Sequence, residues 1–221
     1  MESPLCQDTR LASDPDFRLI ETFGWSPGDG FQRLERHLAR MQRSARTLGI
    51  AFDGDAAGEL LETVTGDTAL RCRLTLDGEG RLGLTTATLG ETPSEWVLVV
   101  ADARVRSDDP WLQHKTTRRA LYDSTRAQLP TGVGEAVFLN ERGELCEGTI
   151  TNVFVTLTNG DQVTPPLTSG LLPGIMRETL LERGDMREQV VTLHDLRDAQ
   201  SIAVGNSLRG MIAARLLPLD G

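Results

Sequence analysis

The sequence predicts an α/β chain of the α+β kind, arranged as two domains. Segments with an apolar period of two alternate with segments of helical period, which is the pattern of mixed sheets and helices. A polar break, Ser107-Asp108-Asp109-Pro110, interrupts that pattern near mid-chain. The 221 residues accommodate one large domain or two small ones, and the break favours two. The expected division is a smaller α+β domain over 1–106, an interdomain linker over 107–113 and a larger domain over 114–221.

Residues 17–23 read as a strand, followed by the turn Ser26-Pro27-Gly28-Asp29-Gly30. Phe31, Leu34, Leu38, Met41, Ala45 and Leu48 then recur at three- and four-residue steps, the apolar stripe of a helix that Gly49 stops. Arg33, Arg36, Arg40, Arg43 and Arg46 decorate it. At 100° per residue Arg40 points away from the stripe, onto a solvated face unless it meets an anion. Residues 55–64 predict a second helix. Residues 69–88 alternate about the turn Asp77-Gly78-Glu79-Gly80, a β-hairpin, and residues 96–105 a further strand. Beyond the break, Thr116 or Thr117 caps a predicted helix running to Gln128, ahead of Pro130. Strands are expected over 136–140 and 149–157, a helix over 174–183, and short strands over 190–193 and 201–204.

A formal charge of −9 disfavours nucleic acid as a partner. No apolar run reaches membrane-spanning length, and residues 1–4 lack the basic and apolar regions of a signal peptide, so a cytoplasmic protein is expected. Cys6, Cys72 and Cys146 are too few and too widely spaced for a disulfide framework or a zinc site. His37, His114 and His194 form no local metal motif, and no metal is expected.

The chain holds 22 arginines and one lysine, Lys115. Base composition of the gene accounts for the arginines but not for the surviving lysine. Arginine keeps its proton; a lysine amine can lose it and then form a Schiff base with a carbonyl. Lys115 is therefore the candidate for amine chemistry. Pyridoxal 5′-phosphate (PLP) needs such an amine, an acid against its pyridine nitrogen, a phosphate cup and a grip for the substrate carboxylate. Glu147, entering an apolar strand, is either a turn residue or the acid. Ser169-Gly170-Leu171-Leu172-Pro173-Gly174 leads directly into a helix whose first amides suit a phosphate, or is an ordinary loop-to-helix junction. Gly205-Asn206-Ser207 offers a second polar wall.

Together these stretches resemble the class IV aminotransferases, the PLP proteins of fold type IV. His37-Leu38-Ala39-Arg40 resembles the family's His-x-x-Arg helix, which makes Arg40 a phosphate ligand. His114-Lys115-Thr116-Thr117-Arg118-Arg119 resembles the segment with the Schiff-base lysine. Glu147 to Phe154 is similar to the strand Glu-x-x-x-x-Asn-x-Phe, whose glutamate pairs with the pyridine nitrogen. Leu172-Pro173-Gly174-Ile175-Met176-Arg177 is similar to the phosphate turn, with the Ile175 and Met176 amides on the phosphate. The resemblance spans residues 17–216 and implies the two-domain fold of the D-amino acid and branched-chain aminotransferases, with 114–221 as the PLP-binding domain.

Within the family, the lysine segment with Tyr122-Asp123 after it, and Asn206-Ser207-Leu208-Arg209-Gly210, are similar to the aminodeoxychorismate lyases. That likeness implies release of pyruvate from 4-amino-4-deoxychorismate to leave 4-aminobenzoate, with Lys115 shuttling the proton. Asn206 and Ser207 would join the cofactor site, and Arg118 or Arg209 would grip a substrate carboxylate. The alternatives are an aminotransferase for branched-chain or D-amino acids and a PLP-binding protein without turnover. A homodimer is implied by the resemblance alone. By that resemblance the family's usual N-terminal strand is missing or eroded, and the tyrosine found five residues after the lysine in some members is Ala120 here. The single tyrosine, Tyr122, lies two helical turns beyond Lys115, so the two would share a helix face, with core packing as its simplest role.

Overall fold

The computed structural model describes residues 14–218. The expectations for residues 1–4 and Cys6 therefore lie outside the described residues. Elements are numbered in chain order. The chain divides into two compact units, one of residues 1–91 with 114–118, the other of 92–113 with 119–221.

The first unit contains a four-stranded antiparallel sheet of order β2-β1-β3-β4, with β1 Arg18–Ser26, β2 Gly30–Phe31, β3 Leu70–Asp77 and β4 Leu82–Thr88. Its helices are α1, Leu34–Leu48, and α2, Gly54–Glu62. The hairpin forms as the alternation predicts: Cys72, Leu74 and Leu76 are buried, and Arg71 and Arg73 are exposed. Gly49 ends α1 with φ 70°, a left-handed cap that glycine adopts without steric cost. The buried band of α1 is His37, Arg40, Met41, Ser44, Ala45 and Leu48. That band has proper helical spacing, but half of it is polar, so a reading by apolarity alone rotates it towards Leu34 and Leu38. Arg40 is accordingly buried, correcting its placement on a solvated face, while Arg33, Arg43 and Arg46 are exposed.

Residues 115–117 are strand-like. The Ile20 amide donates to the Lys115 carbonyl (2.8 Å) and the Thr117 amide to the Arg18 carbonyl (2.9 Å), with a bridge between Leu19 and Thr116. Neither threonine caps a helix. The Thr117 hydroxyl donates to Asp16 and accepts the Arg18 amide, and the Thr116 hydroxyl accepts the Arg118 amide.

The second unit is built on an eight-stranded mixed sheet of order β10-β9-β8-β11-β12-β5-β6-β7. Its strands are β5 Glu95–Val105, β6 Glu135–Asn140, β7 Leu145–Gly148, β8 Asn152–Thr156, β9 Gln162–Thr164, β10 Arg187–Glu188, β11 Ser201–Asn206 and β12 Gly210–Leu216. An additional β7–β8 pairing, Glu147 opposite Asn152, closes β5, β6, β7, β8, β11 and β12 into a ring. β6 is buried throughout. Val137 and Leu139 enter one apolar cluster with Leu98, Val153 and Ile212, and Ala136 and Phe138 enter another with Val105 and Cys146. Strand β5, expected in the smaller domain, belongs here because it pairs in parallel with both β6 and β12. The expected linker is part of the same unit and contains the 3₁₀ turn Pro110–Gln113. Helices α3 Ala120–Ala127, α4 Ile175–Glu182 and α5 Leu193–Asp198 complete it.

Two predicted strands differ. The strand expected over 149–157 begins only at Asn152, because the buried Glu135 carboxylate gathers the Thr149 amide (3.0 Å), the Ile150 amide (3.2 Å) and the hydroxyls of Thr149 and Thr151. Residues 149–151 therefore bend. Glu135→Ala is expected to cost about 3 kcal/mol in chemical denaturation, because these donors lose a fully buried acceptor. A cost below about 1 kcal/mol would mean that the bend holds itself. The strand expected over 190–193 gives way to α5, since Thr192 and Asp195 form a reciprocal capping box.

Candidate active site

In the first unit, Lys115 is partly buried, and its backbone is fixed by the pairing with β1. Arg40 is 4% exposed and binds Glu21 through two parallel bonds, Nε to Oε1 at 2.8 Å and Nη2 to Oε2 at 2.7 Å. Such a fork fixes the guanidinium plane. His37 Nδ1 lies 2.6 Å from Glu21 Oε2. Burial pushes Glu21 towards neutrality, but Arg40 and His37 outweigh it and hold the carboxyl at about 2, against an ordinary 4.5. Burial pushes His37 down more than Glu21 draws it up, and its Nδ1 faces the Glu21 carboxylate, which can only accept. One turn further along α1, Ser44 Oγ lies 2.9 Å from His114 Nδ1, beside the lysine in sequence. Arg118 is exposed.

Glu21 escaped the sequence reading, although the signal was present. Phe17, Leu19, Glu21 and Phe23 fall on one inward face at period two, and a carboxylate in that row needs buried partners.

In the second unit, Glu147 is 7% exposed and sits at the ring-closing pair with Asn152. The Tyr122 hydroxyl donates to its Oε1 (2.8 Å), and the Leu172 amide to its Oε2 (3.1 Å). Tyr122 belongs to α3, which starts at Ala120, so it shares no helix face with Lys115. Asn152 Nδ2 donates to the Leu172 carbonyl (3.1 Å). Ile175 and Met176 are the first residues of α4, whose N-cap, Gly174, supplies no side-chain bond. Their amides have no acceptor within the helix and lie at its positive end. A side chain at Gly205 would come within 3.2 Å of Met176 Sδ, so the end of β11 adjoins the start of α4.

Asn206 is committed to backbone. Its Nδ2 donates to Ile150, and its Oδ1 accepts from Leu208 and Arg209. It shapes the turn rather than presenting a free amide. Ser207 is buried beside it, and Arg209 is partly buried. Arg177, the third residue of α4, is buried against the Pro165 carbonyl and Glu188.

The profile of class IV aminotransferases matches residues 18–217. The chain belongs to the class IV aminotransferase family. Members are PLP-dependent enzymes, so this chain is one, and the alternative of a carrier without turnover falls. A Schizosaccharomyces pombe protein named "Putative aminodeoxychorismate lyase" is 28% identical over 80% of this chain and 80% of its own length. Among solved structures, a "Putative amino-acid aminotransferase" from Mesorhizobium loti is 42% identical, with a TM-score of 0.87 over 91% of this chain and 100% of that one. The 4-amino-4-deoxychorismate lyase of Pseudomonas aeruginosa is 26% identical, with a TM-score of 0.76 over 90% of this chain and 83% of that one.

The donor set of this class IV aminotransferase relative fits PLP. An amine, a carboxylate with a donor on each oxygen, and a helix start without a side-chain cap are all present. The approach to that helix start is tight, because a Cβ at Gly174 would fall 1.8 Å from Asn152 Oδ1. Gly174 has φ −71° and ψ 137°, ordinary for alanine, so the obstacle is steric alone. Gly174→Ala is expected to lower stability by about 1–3 kcal/mol as Asn152 is pushed off Leu172. An unchanged denaturation midpoint would show that Asn152 yields freely. Among the described residues no cluster suits a metal ion, and no helix is long and apolar enough to cross a membrane.

Proposed function

We propose that the chain is a 4-amino-4-deoxychorismate lyase, producing 4-aminobenzoate and pyruvate. The observation that carries this reading is the likeness to the fission-yeast protein, which runs over 80% of both chains.

In this reading Lys115 holds the cofactor. Arg40 and the Ile175 and Met176 amides hold its phosphate, and Glu147 faces its pyridine nitrogen. Asn206 and Ser207 act through the turn beside α4. When bound, PLP supplies an electron sink for charge arising on the amine-bearing carbon. Lys115, as a neutral amine, would take the proton from that ring carbon at Nζ. The carbon–oxygen bond to the three-carbon side group breaks, the ring becomes aromatic, and the proton passes to the departing fragment as pyruvate. The Glu147 carboxylate would hold a proton on the pyridine nitrogen. Arg118 or Arg209 would grip a substrate carboxylate. A cytoplasmic homodimer belongs to the same reading; sedimentation at the mass of a single chain would count against the dimer.

The second reading is an aminotransferase, favoured by the 42% identity to the Mesorhizobium protein. It would use the same Lys115 to move the proton, with no carbon–oxygen bond broken and the cofactor supplying the amino-group carrier. The test is turnover of 4-amino-4-deoxychorismate by the PLP-loaded protein, following both products. Both appearing in equal amounts supports the lyase. No product from yellow, loaded protein, with amino-group transfer to a keto acid, replaces it with the aminotransferase.

A further inference from the structure

We propose that Tyr122 is a positioning residue for Glu147, fixing the plane of the carboxylate that meets the cofactor ring; this rests on the reading of Glu147 given above. A glutamate side chain has several free rotations, and a carboxylate can pair with a ring nitrogen only when one lone pair is aimed at it. Here each oxygen has its own donor. Tyr122 Oη bonds Oε1 at 2.8 Å and the Leu172 amide bonds Oε2 at 3.1 Å. Two donors on different oxygens restrain the plane of the group, and without the phenol the donor on Oε1 is lost.

The phenol is itself held firmly. Its ring packs edge-on against Phe138 (centroids 5.0 Å apart), which is fully buried on β6, and the Arg119 guanidinium lies 5.9 Å over its face. Burial and the adjacent Glu147 charge push the phenol far above the ordinary tyrosine range, so it remains a donor wherever proteins are folded. No other tyrosine exists in the chain to substitute for it.

A residue that acts through another has no effect once that other is gone, whereas a packing role adds independently. The experiment is a double-mutant cycle on cofactor affinity. Protein stripped of PLP is retitrated by absorbance as wild type, Tyr122→Phe, Glu147→Gln and the double variant. Phenylalanine keeps the packing on Phe138 and removes only the donor. Tyr122→Phe is expected to weaken PLP about tenfold, the value of one hydrogen bond to a charged group. In the Glu147→Gln background the same change is expected to cost less than about twofold. An equal loss in both backgrounds, or no loss in the first, overturns the positioning role while leaving Glu147 in place. PLP affinity unchanged in Glu147→Gln alone would overturn the placement of Glu147 against the ring, and the proposal with it.

Discussion

Lys115→Ala is expected to lower turnover by at least about 10³-fold and to abolish the covalent link to PLP. In the proposed reading both losses come from one atom, because Nζ would be the nucleophile towards the cofactor and the base towards the substrate. The chain offers no second lysine to substitute for it. Lys115→Arg separates charge from chemistry. Arginine keeps the positive charge but does not give up its proton at physiological pH, so this variant is expected to be as inactive as alanine. Both should remain folded, since the Lys115 contribution to the sheet is a backbone carbonyl that any residue provides. The measurement is single-turnover product formation, with the absorption band of the covalent cofactor followed in parallel. Appreciable turnover in the arginine variant would assign catalysis to charge and reject the proton-transfer role.

The second large effect concerns Glu21. Glu21→Ala removes a carboxylate that binds Arg40 twice and His37 once, all three being buried. Breaking such a set from one side leaves an uncompensated guanidinium in the interior, and a cost of about 3–5 kcal/mol is expected. The pH dependence has a definite sign. The folded carboxyl titrates at about 2, against an ordinary 4.5. The wild type therefore has the full benefit above about pH 4.5 and loses it as the pH falls from there towards 2. The difference corresponds to about 3 kcal/mol. Urea denaturation at neutral pH and at pH 3 measures both. Glu21→Ala should be much weaker at neutral pH and should lack this part of the acid sensitivity. Identical pH profiles in the two proteins would remove Glu21 from the account.

Local pattern made much of the first unit legible. The hairpin of β3 and β4, the helix stopped by Gly49 and the strand β1 all follow from periodicity and turn chemistry, which act over a few residues. The mistaken details share a cause. Helix spacing alone points Arg40 outward because its partner, Glu21, is 19 residues away, and burial of charge depends on such partners. The strand over 149–157 was drawn too long because Glu135, 14 to 16 residues back, competes for its first donors. Tyr122 packs against Phe138 as expected, and only the reach of its hydroxyl across 25 residues to Glu147 is not legible locally. The exception is local: the capping box at Thr192 and Asp195 outweighs the short apolar run over 190–193. For the candidate site, the residue types and their order carried the family, and the supporting carboxylates and phenol emerged only from the fold.

The path of the chain restricts how this protein can be divided. The backbone departs the second unit at residue 113 and returns at 119, and the intervening segment covers the edge of β1 with Lys115 at its start. A gene fragment ending at residue 91 would therefore encode neither the lysine nor the edge partner, and would leave the Ile20 amide without its acceptor. The two units are not modules that recombination could shuffle separately. Duplication, fusion or exchange that preserves this pairing has to carry residues 114–118 together with β1.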